Sequence, residues 1–289
     1  MRWRIRTATT EDLPAAIGLL NAAYGPNPNF DGRLRRYVAT EPEGWVVADG
    51  ATELIGVGGF VAFGRCAYIG LMGVSPNAQR AGIGTAIFES LLERCDARGH
   101  SLLLLDASDA GAPLYEKYGF RDHGEALAFA LDPTAAGTAS HDESPRCLAF
   151  DLRDQATVAE VTELDARAYG ADRARLLRYC LRESPDRAFL VRDASGALAG
   201  YAIVQGRSFG PCVARSSDVA RALLRHGLTL PYESRLTWFM AGQNREAASL
   251  ARELAGEPLR RWRHMRRGDE TALASDWSTV FAKLSLATG

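Results

Sequence analysis

One stretch restricts the fold of this chain more than any other: VSPNAQRAGIGTAI, residues 74–87. It reads as a strand that stops at Pro76, a turn bearing Gly82 and Gly84, and the start of a long helix. The preceding run Ala67 to Val74 is apolar and of strand length. Downstream, Ile83, Ile87, Leu91 and Cys95 recur every fourth residue, with Leu92 beside them, so one helical stripe faces a core. Glu89, Glu93, Arg94 and Arg98 lie off that stripe. A helix start leaves backbone N–H groups unpaired at the positive end of its dipole. Glycines there let a ligand lie against the backbone, and Arg80 adds a positive charge. The same residues also fit an ordinary strand–turn–helix joint, but together they have the chemistry of a pyrophosphate seat.

Two other phosphate loops fit the stretch poorly. A Walker loop needs a Lys after its last glycine, and none follows Gly84. A dinucleotide fingerprint needs a third glycine where Ile87 stands. The run from Gln79 to Gly84 instead resembles the [Q/R]-x-x-G-x-[G/A] loop of the GNAT superfamily of acyl-CoA-dependent N-acetyltransferases. Val74 to Pro76 resembles the V-x-P strand end of that family, and LYEKYGF, residues 114–120, resembles its L-Y-x-x-x-G-F segment.

The resemblance implies acetyl-CoA as co-substrate and an amine as acceptor. Gln79, Arg80, Ala81, Gly82, Ile83, Gly84 and Thr85 would hold the pyrophosphate, and the pantetheine arm would lie along Met72, Gly73 and Val74. A backbone N–H near Met72 or Gly73 would face the thioester oxygen. Gly70 and Gly73 would allow the strand to splay there. Tyr115 would be the general acid, protonated at neutral pH as an acid must be; Tyr118 is a weaker alternative. Lys117 either reaches coenzyme phosphates or is solvated. Ser108 stands where many relatives carry an Asn that contacts the coenzyme, and its single hydroxyl is a shorter donor. Asp106, a water relay or no enzyme base at all remain open for deprotonation. Tyr24, Phe30 and Tyr68 are candidates for the acceptor cleft, or simply core.

The first half reads β–α–α–β–β–β–α–β–α–β–β. Residues 3–7 alternate as a strand, and Thr9 with Asp12 marks a helix start. Arg33 to Val38 is a short second helix. Residues 45–50 and 54–63 form strands around an Asp-Gly turn, and Leu102 to Asp106 is a buried central strand. Ala110 to Lys117 is a short helix closed by Gly119, and Phe120 to Leu131 is a last hairpin. Residues 132–145 are small and polar and read as a linker. The pattern then repeats: a helix over 157–169, strands over 189–193, 198–204 and 210–213, a helix to His226 capped by Ser217 or Asp218, and a strand over 236–240. The phosphate loop is absent, with Asp218 at its place, and Ala251 stands where the family motif has Tyr. The closing residues 263–268 and 277–286 resemble those of tandem bacterial GNAT proteins with an atypical second domain. The expected fold is α/β (α+β), two tandem GNAT-like domains, each a mixed, mostly antiparallel sheet flanked by helices. The divisions are 1–131, a linker 132–145, and a degenerate domain 146–289.

A chain of 289 residues can be one large domain or two of ordinary size, and 47% apolar and 24% charged residues are globular values. A formal net charge of -1 argues against nucleic acid. No apolar run spans a membrane, and the N-terminal residues lack a secretory apolar region. The five scattered cysteines read as free thiols in a cytoplasm, and the five histidines show no metal spacing. Lys117 and Lys283 are the only lysines; with the alanine richness this suggests a GC-rich bacterial genome. The reading is a cytoplasmic N-acetyltransferase, monomer or homodimer, catalytic in its first domain. The alternatives are an acyl-CoA-binding sensor or scaffold without turnover, and a mycothiol-synthase-like tandem enzyme with a catalytic second half.

Overall fold

The computed structural model describes residues 3–25, 27, 29–132, 145–232 and 235–289. The first half runs β1 (Arg4–Thr7), α1 (Leu13–Tyr24), α2 (Asn29–Thr40), β2 (Trp45–Asp49), β3 (Leu54–Phe63), β4 (Cys66–Val74), α3 (Ile83–Ala97), β5 (Leu102–Ala107), α4 (Ala112–Lys117) and β6 (Arg121–Leu131). The second half runs β7 (Cys147–Ala149), α5 (Gln155–Tyr169), α6 (Ala174–Glu183), β8 (Ala188–Arg192), β9 (Leu198–Gln205), β10 (Ser208–Ala214), α7 (Ser217–Leu228), β11 (Leu236–Ala241), α8 (Arg245–Ala255) and β12 (Arg260–Gly268). Strand for strand and helix for helix the two orders are the same. One extra strand, β13 (Val280–Ala282), follows. The interior of the predicted linker lies outside the described residues.

Local chemistry accounts for the elements. The Thr9 backbone N–H donates to Asp12 Oδ2 at 2.7 Å, the reciprocal bond of a capping box, and Pro14 sits where α1 has no bond to lose. The α3 stripe buries Ile83, Ile87, Phe88, Leu91, Leu92 and Cys95. Leu102 to Leu105 are all buried, as a strand covered on both faces requires.

Among the described residues all thirteen strands join one sheet, in the order β1-β2-β3-β4-β5-β12-β6-β11-β10-β9-β8-β7, with β13 on β10. The hairpin expected at Phe120 to Leu131 does not form. That segment is the single strand β6, and its neighbours are β12 and β11, both from the second half. The partner that a hairpin would have supplied to β5 is β12, paired from Ala107↔Arg263 to Leu102↔Gly268. The last strands of the two halves have therefore exchanged places. An apolar alternation specifies which face a strand buries but not whose edge it joins.

The core follows the same exchange. One buried cluster runs through both halves, from Leu20, Tyr37 and Trp45 to Leu176, Tyr201 and Leu284. Two others fill the opposite face of the sheet, one under α3 and one under α7 and α8. Leu127, Phe129 and Leu131 of β6 pack in the second half's cluster, not the first's.

Candidate active site

The loop between β4 and α3 projects its backbone outward. Gln79, Arg80, Ala81 and Gly82 are exposed. Gly82 is the N-cap of α3 with φ 79, and no side chain caps the helix start. No acidic residue occupies its first turn. A Cβ at Gly82 would meet no atom, so the left-handed backbone and not crowding calls for glycine there. Arg80 shares that conformation with φ 64, uncommon for a residue with a side chain. The N–H groups of Ile83, Gly84 and Thr85 thus head an uncapped helix, where a negative ligand is favoured.

Next to this loop two parallel strands part. β4 and β5 pair only from Cys66↔Leu102 to Ile69↔Leu105. Beyond that point each stays with its outer neighbour, β4 with β3 as far as Val74↔Gly56 and β5 with β12 as far as Ala107↔Arg263. The β3–β4 ladder passes from Gly70↔Gly59 to Gly73↔Val57, which sets Leu71 and Met72 opposite Gly58 alone. Such a bulge frees backbone groups and re-aims them. Leu71 carries its strain, with φ 50. Gly70 has a different task from the one expected: a Cβ there would stand 2.5 Å from Ala287 Cβ, so it makes room for the segment after β13. At Gly73 a Cβ would press on Leu19 and Leu20 of α1, each at 3.1 Å.

A cavity of about 590 Å³ opens at this wedge. Met72, Ser108 and Tyr115 line it, with Tyr24 and Phe30 from the first half and Phe239, Trp262 and Ala287 from the second. The Tyr115 hydroxyl lies 3.8 Å from Met72 Sδ, and its ring meets Phe88 edge-on at 4.9 Å. Burial pushes the Tyr115 hydroxyl above the ordinary tyrosine range, so it keeps its proton at neutral pH. Tyr24 donates its hydroxyl to the Met72 carbonyl. Ser108 Oγ accepts from the Gly111 N–H at 3.2 Å and so fastens the start of α4. Tyr118 points elsewhere and donates to Glu89 at 2.6 Å on the surface. Lys117 is exposed.

Asp106 is unsuited to be the base. Its side chain is fully buried, Lys283 Nζ donates to one carboxylate oxygen, and His264 Nδ1 is 2.8 Å from the other. Burial alone would raise this carboxyl, but the Lys283 ammonium and His264 outweigh it and hold it at about 2. Burial pulls His264 down, so the imidazole is neutral and donates from Nδ1. Tyr68 belongs to the same cluster, its hydroxyl accepting from Lys283 Nζ at 2.8 Å, and is core, not cleft. Most of the residues missed from the sequence are brought by the second half: His264 and Lys283, which bond the cavity-lining Asp106, and Trp262 and residues 285–287 in the wall; Arg33 of the first half is another. Lys283 alone carried a signal, as one of two lysines in an arginine-rich chain.

The equivalent position in the second half is closed. β10 and β11 also pair in parallel and also part, after Phe209↔Trp238. The gap is filled by β13, paired to β10 at Cys212↔Ala282 and Val213↔Val280. The Lys283 N–H donates to the Phe239 carbonyl at 2.7 Å, and Trp238 Nε1 donates to the Phe281 carbonyl at 2.8 Å. The start of α7 is capped by Ser216, not by the expected Ser217 or Asp218: Ser216 Oγ accepts from the Val219 N–H at 3.3 Å. Ser217 bonds Glu246 instead, and Asp218 adds negative charge to the first turn.

Two units of one element order, one wedge open and one filled, define a duplicated acyltransferase scaffold. The chain belongs to the GNAT N-acetyltransferases as a tandem member: family models described as acetyltransferase (GNAT) domains match residues 30–130 and 161–282. It is 31% identical over 176 residues to an uncharacterized N-acetyltransferase, YitH, of Bacillus subtilis, a match spanning 60% of this chain and 60% of that protein. Its fold is similar to a crystal structure assigned as an acetyltransferase from Pyrococcus horikoshii, with 26% identity, a TM-score of 0.85, and coverage of 99% of this chain and 96% of that one. A tandem GNAT protein from the clavulanic acid biosynthesis pathway shares the fold at 18% identity and a TM-score of 0.65, over 92% and 98% of the two chains. No helix among the described residues is long and apolar enough to cross a membrane.

Proposed function

We propose that the protein transfers an acetyl group from acetyl-CoA to a primary amine, in the cytoplasm and within its first half. The division into 1–131, a connection 132–145 and 146–289 follows the duplicated element order. The observation that carries the reading is the contrast between the wedges: β4–β5 opens beside an uncapped helix start, whereas β10–β11 is filled by β13. The filled wedge also disfavours a catalytic second half of the mycothiol-synthase kind.

In this reading the N–H groups of Gln79 to Thr85 hold the pyrophosphate, and the bulged backbone of Met72 to Val74 aligns the pantetheine arm. The amine nitrogen attacks the thioester carbonyl carbon, and a C–N bond forms while a backbone N–H of the bulge stabilises the oxyanion. The C–S bond then breaks. Tyr115 gives its proton to the departing sulfur and regains one from solvent, and the proton of the attacking nitrogen leaves to water. With Asp106 locked in its ion pair, the amine enters already neutral. Ser108 is left with a positioning role for α4.

The missing base also fits a coenzyme-binding scaffold without turnover. Steady-state kinetics of Tyr115→Phe separates the two. The transferase reading predicts that kcat falls by about 10²-fold or more while acetyl-CoA affinity stays within about twofold. Wild-type protein that binds acetyl-CoA yet releases no thiol with any amine would leave only the scaffold.

A further inference from the structure

Among the described residues the charges lining the open cavity do not balance. Arg33, Arg207, Arg235 and Arg260 line it, and Asp106 is the one carboxylate among the described lining residues. That carboxylate is matched by Lys283. Arg235 is 3.3 Å from Asp132. Arg33, Arg207 and Arg260 take part in no ion pair among the described residues.

Arg33 is the informative one. It rises from α2 into the cavity wall and is only 8% exposed. Its Nη2 donates to the Ser208 hydroxyl at 2.6 Å, and its guanidinium lies 5.5 Å from the Phe239 ring centroid. Asn29 Nδ2 is 3.4 Å from the same hydroxyl. The groups in contact with this buried cation are thus a hydroxyl and an aromatic face, both neutral, and the nearby Arg36 guanidinium is of like sign. Its neighbour one turn on, Arg36, is treated differently and holds the Glu183 carboxylate. A buried charge without a counter-ion is costly, and the cost is relieved if a ligand brings the opposite charge. Arg207 and Arg260 are exposed at the rim, where they attract an anion and raise its rate of encounter.

We propose that the acceptor is an amino-carboxylate, its carboxylate bound by Arg33 and drawn in by Arg207 and Arg260, its amine presented at Met72. The planar fork of the guanidinium suits a carboxylate, and one buried lining cation without an ion pair among the described residues suits a single negative charge. This inference rests on the acetyl-transfer reading and narrows its acceptor.

The test uses the full chain and matched acceptors: amino acids, their amides, the decarboxylated amines, and phosphoethanolamine. Thiol release from acetyl-CoA gives kcat/KM for each. Calorimetry with N-acetyl amino acids and N-acetyl amino acid amides measures the same preference without turnover. The expected result is acetylation of the free acids, with kcat/KM reduced roughly 100-fold or more for amides and amines. Arg33→Gln should raise KM for acids by a similar factor and erase the preference, with acetyl-CoA affinity unchanged and Arg33→Lys giving partial rescue. Arg260→Ala, at the rim, should lower kcat/KM for acids mainly at low salt. Preference for amides, amines or the phosphate, or an equal loss on all acceptors in Arg33→Gln, overturns the inference. Failure of acetyl-CoA itself to bind overturns the reading beneath it as well, and calorimetry with acetyl-CoA alone tells these two failures apart.

Discussion

Lys283 shows how much a single residue can hold in place. A compact ammonium with three donors fits between Asp106 and the Tyr68 hydroxyl, where a planar guanidinium would need more room. Removing it as Lys283→Ala strands a buried carboxylate, and urea unfolding should show a loss of about 3–5 kcal/mol. The double variant Lys283→Met with Asp106→Asn removes both charges and should recover most of that loss. A double variant no better than Lys283→Ala would contradict this account of the pair. The depressed carboxyl also sets an acid limit. Asp106 binds its proton less readily folded than unfolded, so its contribution is complete above about pH 4 and is lost as pH falls toward about 2. Stability of wild type should decline in that window more steeply than that of the double variant. Tyr115 and the loop from Gln79 to Thr85 could be singled out in the sequence because each lies in a local motif that resembles one of the family's. The Asp106 cluster was not, since its partners lie 158 and 177 residues away in the chain.

At the scale of elements, the two helix starts α3 and α7 form an internal control. Ser216→Ala should lower stability by about 1 kcal/mol through the lost cap and leave acetyl-CoA affinity unchanged. Gly82→Ala should cost about 1–2 kcal/mol, because φ 79 disfavours a Cβ, and should also weaken acetyl-CoA binding. Thermal unfolding paired with coenzyme titration reads both numbers on both variants. Equal effects on binding would mean that the helix starts are not functionally distinct. Most elements were readable from periodicity, including the repeat of the first half in the second. The hairpin at Phe120 to Leu131 was misread because Ala126 and Ala128, between β11 and β12, and Ala130, beside β11, form a pattern that any sheet edge would accept. The role of residues 280–282 as the filler of a wedge had no local signature either.

At the scale of the molecule, the exchange of β6 and β12 means that neither half closes its own sheet. Calorimetric unfolding should therefore show one transition, with van't Hoff and calorimetric enthalpies in agreement. Residues 1–131 expressed alone would leave β5 without β12 and β6 without either neighbour, and should be insoluble or unfolded. Two separate transitions would contradict a shared sheet. The exchange also brings the second half against the open wedge of the first, whose cavity is walled in part by Phe239, Trp262 and Ala287. The central claim is that the duplicated fold keeps one coenzyme site, in its first half. Calorimetric titration of acetyl-CoA into the full chain, repeated with Gly82→Glu, tests it most directly. The account predicts one equivalent per chain, abolished by Gly82→Glu. Two equivalents, or one that survives Gly82→Glu, would contradict it.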